Sequence, residues 1–286
     1  MARDDYPNYP GGNYHPENDS NPYNGANNYG DGSAEGYAGA APYNNGRRMV
    51  QGDGKVRVME SVGYGFRTVF ASPLAWIVTT LVVGILSVVI FGAGFAAMFS
   101  QMSADGAFNP ETGATPDTDS YNFNPIILIL FTLIMIVVQV MFATAALKAA
   151  DGKKITFTDF FGGPNFVKAL VFVLIVDIIT SAVPYLLPGV LQIFVNIALI
   201  FVGPLYMLMY LFVLDRGASF GDAARQGFQA GTRNYLPLLG FSILWGLILI
   251  VSAIPLGLGM LITGPAYITA LAYVYRQASG GVYPED

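Results

Sequence analysis

The sequence has no cysteine, and its single histidine is His15, close to the N-terminus. The absence of cysteine excludes disulfides, thiolate metal sites and thiol nucleophiles. Because no histidine follows His15, the rest of the chain cannot form a histidine-dependent triad, most kinds of zinc site or a haem site with a histidine ligand. We therefore expect a protein that is not an enzyme and that holds no cofactor and no metal.

Charge is also scarce. Charged residues make up 12% of the chain, about half of the roughly 25% that is typical of soluble domains. The net charge of −5 argues against a basic surface of the kind that binds nucleic acid, so no nucleic-acid partner is expected. Hydrophobic residues make up 53% of the chain, and the mean hydropathy is +0.50. This composition indicates an integral membrane protein.

The apolar residues are arranged in blocks long enough to cross a bilayer, which takes a helix of about 20 residues. We predict an all-α membrane protein with six transmembrane helices, at residues 74–99, 125–147, 169–187, 189–214, 235–254 and 256–275. Every Lys and Arg then falls on one side of the membrane, whereas the loop 101–124 carries four acidic residues and no basic ones. Positive charge marks the cytoplasmic side, so both termini are predicted to be cytoplasmic, in the plasma membrane.

Residues 1–57 are predicted to form a disordered cytoplasmic tail with a basic end beside the membrane. Residues 1–46 are rich in Asn, Gly, Tyr and Pro and contain no Val, Ile, Leu or Phe that could form a core. The seven tyrosines of this stretch suit weak association with other membrane proteins, and the alternative is a solvated leader without a partner. The basic end is expected to contact anionic lipid head groups through Arg47, Arg48, Lys55 and Arg57.

Residues 58–279 are predicted to form the membrane domain, and residues 280–286 a short C-terminal tail. The domain is predicted to contain three copies of one unit, an amphipathic interfacial helix followed by a transmembrane hairpin. Capping boxes at Thr156–Asp159 and Ser219–Asp222 precede the third and fifth spans. We therefore interpret Asp159 and Asp222 as helix caps rather than as catalytic acids.

Further matches support the repeat. Asn165-Phe166-Val167 corresponds to Asn234-Tyr235-Leu236 ahead of the next span, and a Gly-Pro pair occurs in both the fourth and the sixth spans. The two pairs are Gly203-Pro204 and Gly264-Pro265, each followed by a tyrosine two residues later. Proline leaves a backbone carbonyl free one turn earlier, so these pairs predict bends around a cavity.

These motifs resemble a broad bacterial family of polytopic membrane proteins, which includes the membrane domain preceding some glycerophosphodiester phosphodiesterases. The resemblance covers residues 58–279 and rests on the two capping boxes, the DAARQGF helix with its following Asn, and the ITGPAY…YVYR ending. The sequence does not contain the catalytic domain of that fusion, so its activity is not implied. The N-terminal tail resembles those of actinobacterial proline- and glycine-rich membrane proteins, some of which are accessory subunits of a respiratory supercomplex.

Asp177 is the one ionisable side chain deep within a predicted span, and such groups mark functional sites by default. The candidate intramembrane polar site consists of Asp177, Thr180, Ser181, Asn196, Tyr206 and Tyr267. One interpretation is a proton or cation site that uses Asp177 and the two tyrosines. The other is a protonated, hydrogen-bonded aspartate that fixes helix packing, which is favoured because the predicted spans hold no second acid, Lys or His.

These observations favour a non-catalytic membrane scaffold or accessory subunit of a membrane complex, such as a respiratory supercomplex of actinobacterial type. The competing hypothesis is a secondary transporter or lipid-handling facilitator that uses Asp177 in the bundle interior. A wide cavity between the helices with the Gly-Pro pairs would favour the second hypothesis.

The charge distribution generates a topology test. Reporter fusions after residues 46, 152, 218 and 280 should report the cytoplasm, and fusions near residues 112 and 188 the outside, because Lys and Arg flank the first group. The measurement is the activity of paired cytoplasmic and extracytoplasmic reporters at each site. An extracytoplasmic signal at 152 or 218 would contradict the six-span arrangement.

Overall fold

The computed structural model describes residues 43–44, 47–104, 125–185 and 189–285. Most of these residues are helical. The α-helices are α1 (Val58–Ala71), α2 (Pro73–Ala104), α3 (Pro125–Ala150), α4 (Phe166–Tyr185), α5 (Gly189–Tyr206), α6 (Met209–Arg216), α7 (Phe220–Arg233), α8 (Tyr235–Ala253) and α9 (Met260–Ser279). The strands are β1 (Tyr43–Asn44), β2 (Arg47–Gln51) and β3 (Val282–Pro284). Residues 1–42, for which the sequence predicts disorder, and residues 105–124 of the polar loop lie outside the described residues.

Long apolar helices dominate this part of the chain. Among the described residues, four helical segments are long and apolar enough to cross a membrane: Pro73–Ser103, Ile126–Ala150, Leu191–Arg216 and Tyr235–Ala253. They correspond to the first, second, fourth and fifth predicted spans. The third and sixth predicted spans correspond to α4 and α9, which have 20 residues each. The protein is therefore a largely helical, multi-pass membrane protein.

The predicted fourth span, residues 189–214, consists of two helices rather than one. Helix α5 contains Pro204 and ends at Tyr206, and α6 begins at Met209 after a short turn. Proline has no N–H to donate, and glycine at position 203 weakens the helix further. A prediction based on hydropathy merges the two helices because the turn residues, Met207 and Leu208, are themselves apolar.

Helices α3, α6 and α9 end in the same way, at a glycine in the left-handed conformation. These glycines are Gly152, Gly217 and Gly280, with φ values of 81°, 64° and 70°. Glycine adopts this conformation without the steric cost that a Cβ atom imposes, which makes it the usual residue at a helix C-terminus. The chain therefore turns sharply after each of these helices.

A buried arginine connects the three helix ends. Arg276, near the end of α9, donates to Asp215 of α6 at 2.9 Å and to Asp151, just after α3, at 2.6 Å. Its side chain is only 12% exposed. The hydroxyl of Tyr275 also donates to Asp215, at 2.8 Å. Charge-assisted hydrogen bonds of this kind are short and directional, so they fix the ends of α3, α6 and α9 relative to one another.

Residues 47–57 are ordered, which corrects the prediction that the disordered tail extends to residue 57. Strand β2 pairs antiparallel with β3, so the predicted C-terminal tail is also partly a strand. Met49 and Val56 are buried. Sequence reasoning missed this pairing because β2 is short and contains two arginines, and its partner strand lies more than 200 residues away.

The basic residues of this segment are held by the protein itself. The Arg57 guanidinium donates to Asp53 and to the hydroxyl of Tyr283, both at 2.8 Å, and Arg48 lies 3.5 Å from the Glu285 carboxylate. Lys55 is exposed. Arg57 therefore serves first to join the start of the domain to its end. Contact of Arg47, Arg48, Lys55 and Arg57 with lipid head groups stays a prediction.

Two buried asparagines, which the sequence matched to each other, have similar roles. Asn234 donates to the carbonyl of Gly54 at 3.0 Å and accepts from the N–H of Val56 at 3.0 Å. Asn165 donates to the carbonyl of Leu214 at 3.3 Å. Each side chain thus satisfies backbone groups shortly before α1 or α7, where unpaired buried groups would be costly.

The predicted capping box at Thr156–Asp159 is confirmed, and Ser219 is confirmed as an N-cap, although the Asp222 carboxylate accepts from the Ser219 hydroxyl, at 2.6 Å, and not from its backbone N–H. The N–H and hydroxyl of Thr156 donate to the Asp159 carboxylate at 2.9 and 2.7 Å, and the Ser219 hydroxyl accepts from the N–H of Asp222 at 3.2 Å. Burial would raise the pKa of Asp159, but hydrogen bonds from Lys153 and Thr156 outweigh it and hold that pKa well below its usual range.

The predicted interfacial helix after the first capping box is only one turn of 3-10 helix, Phe157–Phe160. Glycines at 162 and 163 have positive φ and end it at once. In contrast, α1 and α7 are each 14 residues long. Phe160 is buried against Trp76 and Phe142, with ring centroids 5.0 and 5.2 Å apart, so packing rather than length holds this turn in place.

The arginine cluster generates a stability test. Arg276→Gln should lower the free energy of unfolding by about 3–5 kcal/mol, because it leaves carboxylates near the helix ends without their cation. Arg216→Gln is the matched control: Arg216 is adjacent to the cluster but 41% exposed, and its removal should cost less than about 1 kcal/mol. The measurement is thermal or urea unfolding in detergent. Equal losses for the two variants would contradict a central role for Arg276.

Candidate functional site

Asp177 lies in the middle of α4 and is partly buried. Among the described residues, its carboxylate has neither a hydrogen-bond nor an ion-pair partner. The Thr180 hydroxyl donates instead to backbone carbonyls, of Val176 at 2.9 Å and of Asp177 itself at 3.2 Å. This arrangement does not support the interpretation that Asp177 fixes helix packing through hydrogen bonds, because its carboxylate makes no hydrogen bond to any described residue of another helix.

Two adjoining cavities surround this carboxylate. The first, of about 540 Å³, lies between α2, α3, α4 and α9, and the second, of about 580 Å³, between α3, α4, α5, α6, α8 and α9. Gln139, Asp177 and Tyr267 line both. The remaining lining is largely apolar. The polar interior of the bundle is therefore concentrated around one carboxylate that two spaces share.

Several predicted site residues are brought together by these cavities. Thr180 and Tyr206 line the second cavity, and Ser181 lines the first. Asn196, by contrast, is exposed and lies outside the lining of both cavities. It shares a helix face with Leu199, Ile200 and Gly203, which do line the second cavity. The lining of the second cavity on α5 thus begins about one turn after Asn196, at Leu199, and Asn196 itself is not part of the site.

Sequence reasoning missed five polar residues that line the cavities: Gln139 and Tyr210, and the hydroxyl residues Thr80, Thr132 and Ser242. Gln139 of α3 lines both cavities, and Tyr210 of α6 lines the second. Tyr210 is only 6% exposed, and its hydroxyl interacts with the Gln139 side chain without reaching the geometry of a full hydrogen bond. A signal was available for Gln139 and Tyr210: Gln139 is a carboxamide in an apolar span, and Tyr210 is one turn after Tyr206. We refer to Gln139, Asp177, Tyr206, Tyr210 and Tyr267 as the Asp177 site.

The Gly-Pro pairs position the site, and α7 supports one of them from outside. A Cβ atom at Gly231 of α7 would lie 2.8 Å from the carbonyl oxygen of Pro204, so only glycine allows the two backbones this close. Gly65 of α1 has the equivalent close approach to α9, at Ala266. Helices α7 and α1 therefore pack against the turns of helix that carry Tyr206 and Tyr267, respectively, and hold these tyrosines beside the cavities.

Open space on the cavity side accompanies this tight packing on the outside. Gly203 lines the second cavity and Gly264 the first, and a Cβ atom at either position would contact nothing within 4 Å. Glycine in a helix costs about 0.5–1 kcal/mol relative to alanine. A Cβ atom would fit at both positions, yet both are glycine. The absence of side chains there helps to keep the cavities open.

The donor set of the site is a carboxylate, a carboxamide and three phenolic hydroxyls. Among the described residues, no group of three or more His, Cys, Asp or Glu side chains has the geometry to hold a metal ion. Asp177 is the one charged residue among the described side chains that line either cavity. The site can therefore accept hydrogen bonds and stabilise a positive charge.

The unpartnered carboxylate generates a prediction about stability. The free energy of unfolding of Asp177→Asn and of Asp177→Leu should lie within about 1 kcal/mol of the wild-type value or above it, because neither substitution removes a hydrogen bond. Asp215→Asn is the control, since the Asp215 carboxylate accepts from Tyr275 and Arg276 and should be costly to neutralise. Unfolding in detergent is the measurement. A loss above about 2 kcal/mol for Asp177→Leu would show that Asp177 has a structural partner.

Comparison with known proteins adds no constraint on the chemistry of this site. The chain matches no protein-family model, no curated protein and no solved structure. The resemblances drawn from sequence motifs stay predictions, and what bears on function is the set of side chains around Asp177.

Proposed function

We propose that this protein takes an amphiphilic small molecule into the Asp177 site and moves it within or across the membrane, as a secondary transporter or lipid-handling facilitator. The observation that carries the proposal is the pair of cavities that share the Asp177 carboxylate. Their volumes fall within the range of about 300–1,000 Å³ that is usual for small-molecule sites.

The chemistry of the lining supports a ligand rather than empty space. Ligand sites combine mostly apolar walls with a few polar groups, and this lining has that composition. Tyr210 adds a buried hydroxyl whose contact with Gln139 falls short of a full hydrogen bond, so a ligand or water that completes its hydrogen bonding would be favourable. A half-buried carboxylate without a partner is likewise costly in a membrane, so its presence fits a role in binding.

The exposed parts of the lining suggest how a ligand would enter. Thr132 and Met135 of α3 and Ser181 of α4 line the first cavity and have exposed side chains, so we infer that this cavity opens between α3 and α4 to the surface of the bundle. In a membrane that surface faces lipid. A lateral opening of this kind suits a molecule that first partitions into the bilayer.

The proposal includes the six-span topology in the plasma membrane with both termini in the cytoplasm. A helix of 20 residues is about 30 Å long, so α4 and α9 are long enough to complete the six spans. The one-sided distribution of Lys and Arg supports the orientation. The scaffold function depends on the tyrosine-rich segment, which lies outside the described residues, and stays a prediction for that segment.

Filling the cavity tests the function. Gly264→Leu should reduce entry of an amphiphile several-fold, because a Cβ atom at this position meets open space and the rest of the side chain would occupy part of the first cavity, which Asp177 also lines. Gly240→Leu is the matched control, since Gly240 has the same open surroundings but lies on the exposed side of α8.

The readout is quenching of tryptophan fluorescence by a neutral brominated detergent, dibromododecyl maltoside. The chain has two tryptophans, and both are buried: Trp76 contacts Phe142 and Trp245 contacts Tyr267, which are lining residues. We expect saturable quenching in the wild type and in Gly240→Leu, and much less in Gly264→Leu. Equal quenching in all three proteins would contradict the proposal.

A further inference from the structure

The charge of the Asp177 site restricts what it can bind. Asp177 is the one charged residue among the described side chains that line the cavities, and the nearest basic residue on the same helix, Lys168, is about 13 Å away along α4. An anion in the site would face an unscreened carboxylate in a medium of low dielectric constant. A cation would neutralise that carboxylate and relieve its desolvation.

The aromatic residues point in the same direction. Tyr206, Tyr210 and Tyr267 line the second cavity together with Asp177, and Phe131 and Phe142 line the first. Aromatic rings attract cations through their negative faces, and quaternary ammonium groups are commonly recognised in this way. The phenolic hydroxyls, among them the buried hydroxyl of Tyr210, can also accept or donate hydrogen bonds.

Inorganic cations fit less well. Calcium and magnesium take about six or more oxygen ligands in a compact shell, and magnesium keeps much of its water. Here a single carboxylate, one carboxamide and a few hydroxyls are distributed over two cavities that together exceed 1,000 Å³ and have mostly apolar walls. Such walls cannot replace the hydration shell of a small ion, but they can bury the apolar body of an organic one.

We infer that the Asp177 site binds a monovalent organic cation with an apolar body, of the quaternary ammonium or phosphonium class, with its positive centre beside Asp177. This inference rests on the proposed function and specifies its ligand. Asp177 supplies the charge, the tyrosine rings provide the faces against which the cationic centre packs, and the apolar walls take up the rest of the molecule.

The test uses three probes of similar size on the purified full-length protein in nanodiscs of neutral lipid: tetraphenylphosphonium, its anionic counterpart tetraphenylborate, and neutral triphenylphosphine oxide. We expect saturable binding of the cation above the level in empty nanodiscs, and no saturable binding of the anion. Asp177→Asn should weaken binding of the cation roughly tenfold or more, because it removes the charge while keeping the shape. Asp222→Asn, which neutralises an exposed helix cap, is the matched control and should bind like the wild type.

A second pair of variants tests the role of the rings. Tyr206→Phe keeps the aromatic face and should bind the cation nearly as well as the wild type, whereas Tyr206→Leu should bind it several-fold more weakly. A purely structural role of Tyr206 would change cation binding and neutral-probe binding by the same factor. An equal loss for both probes would therefore overturn the cation–aromatic part of the inference.

The outcomes separate this inference from the proposed function. If the brominated detergent enters the wild type but the cation binds no more tightly than triphenylphosphine oxide, the charge inference fails and the proposed function stands. If neither the detergent nor any probe enters, both fail. If the cation binds equally well to Asp177→Asn, the assignment of Asp177 is overturned.

Discussion

The guanidinium of Arg276 is shared by two carboxylates, and this buried interaction determines where three helices meet. A guanidinium is planar and presents its donors in a fixed fork, so its two partners must approach from set directions. Asp151 and Asp215 do so from the ends of α3 and α6. Removing Arg276 would leave the largely buried carboxylate of Asp215 without its nearest counter-ion. The relative rotation of α3, α6 and α9 about their axes is thereby restricted.

The cavities inherit that restriction. Gln139, Tyr210 and Tyr267 belong to α3, α6 and α9, respectively, so the three helices held at Arg276 also carry three of the five residues of the Asp177 site. An interior space that is not filled by side chains collapses unless its walls are held from elsewhere. Here the walls are held at one end by the charge cluster and from outside by α1 and α7, whose glycines allow close packing.

Features that depend on local composition could be predicted from the sequence. The extent of the apolar runs predicted spans that start at residues 125 and 235, where α3 and α8 begin in the structure. The capping residues Thr156 and Ser219 were identified from the spacing of the motif alone. Features that depend on distant partners could not. Strand β2 pairs with the short β1 on one side, but its other partner, β3, comes from the far end of the chain. Arg276 looks like an ordinary flanking charge until the ends of α3 and α6 are beside it.

The same distinction applies to the residues of the Asp177 site: some could be predicted from local sequence and others could not. Asp177, Tyr206 and Tyr267 stand out because polar groups are rare in apolar spans or because they follow a Gly-Pro pair. The register of α4 against α5 is set by packing and cannot be read from the sequence. The sequence therefore predicted Asn196 beside the site, whereas in the structure Asn196 lies outside the cavity lining. Tyr210 was overlooked because it belongs to a helix whose separate existence depends on the break after Pro204.

The pairing of β2 with β3 has a consequence for how the chain is made. Helix α1 packs mainly against α9, and the segment ahead of α1 is hydrogen-bonded to Asn234, Gln277 and the final strand. The ribosome releases the first helix of the domain long before the last one exists. Until α9 is made, α1 lacks the helix against which it mainly packs, and contacts between such distant segments form slowly. The packing of the first helix of the domain is therefore completed only when the last helix has been made.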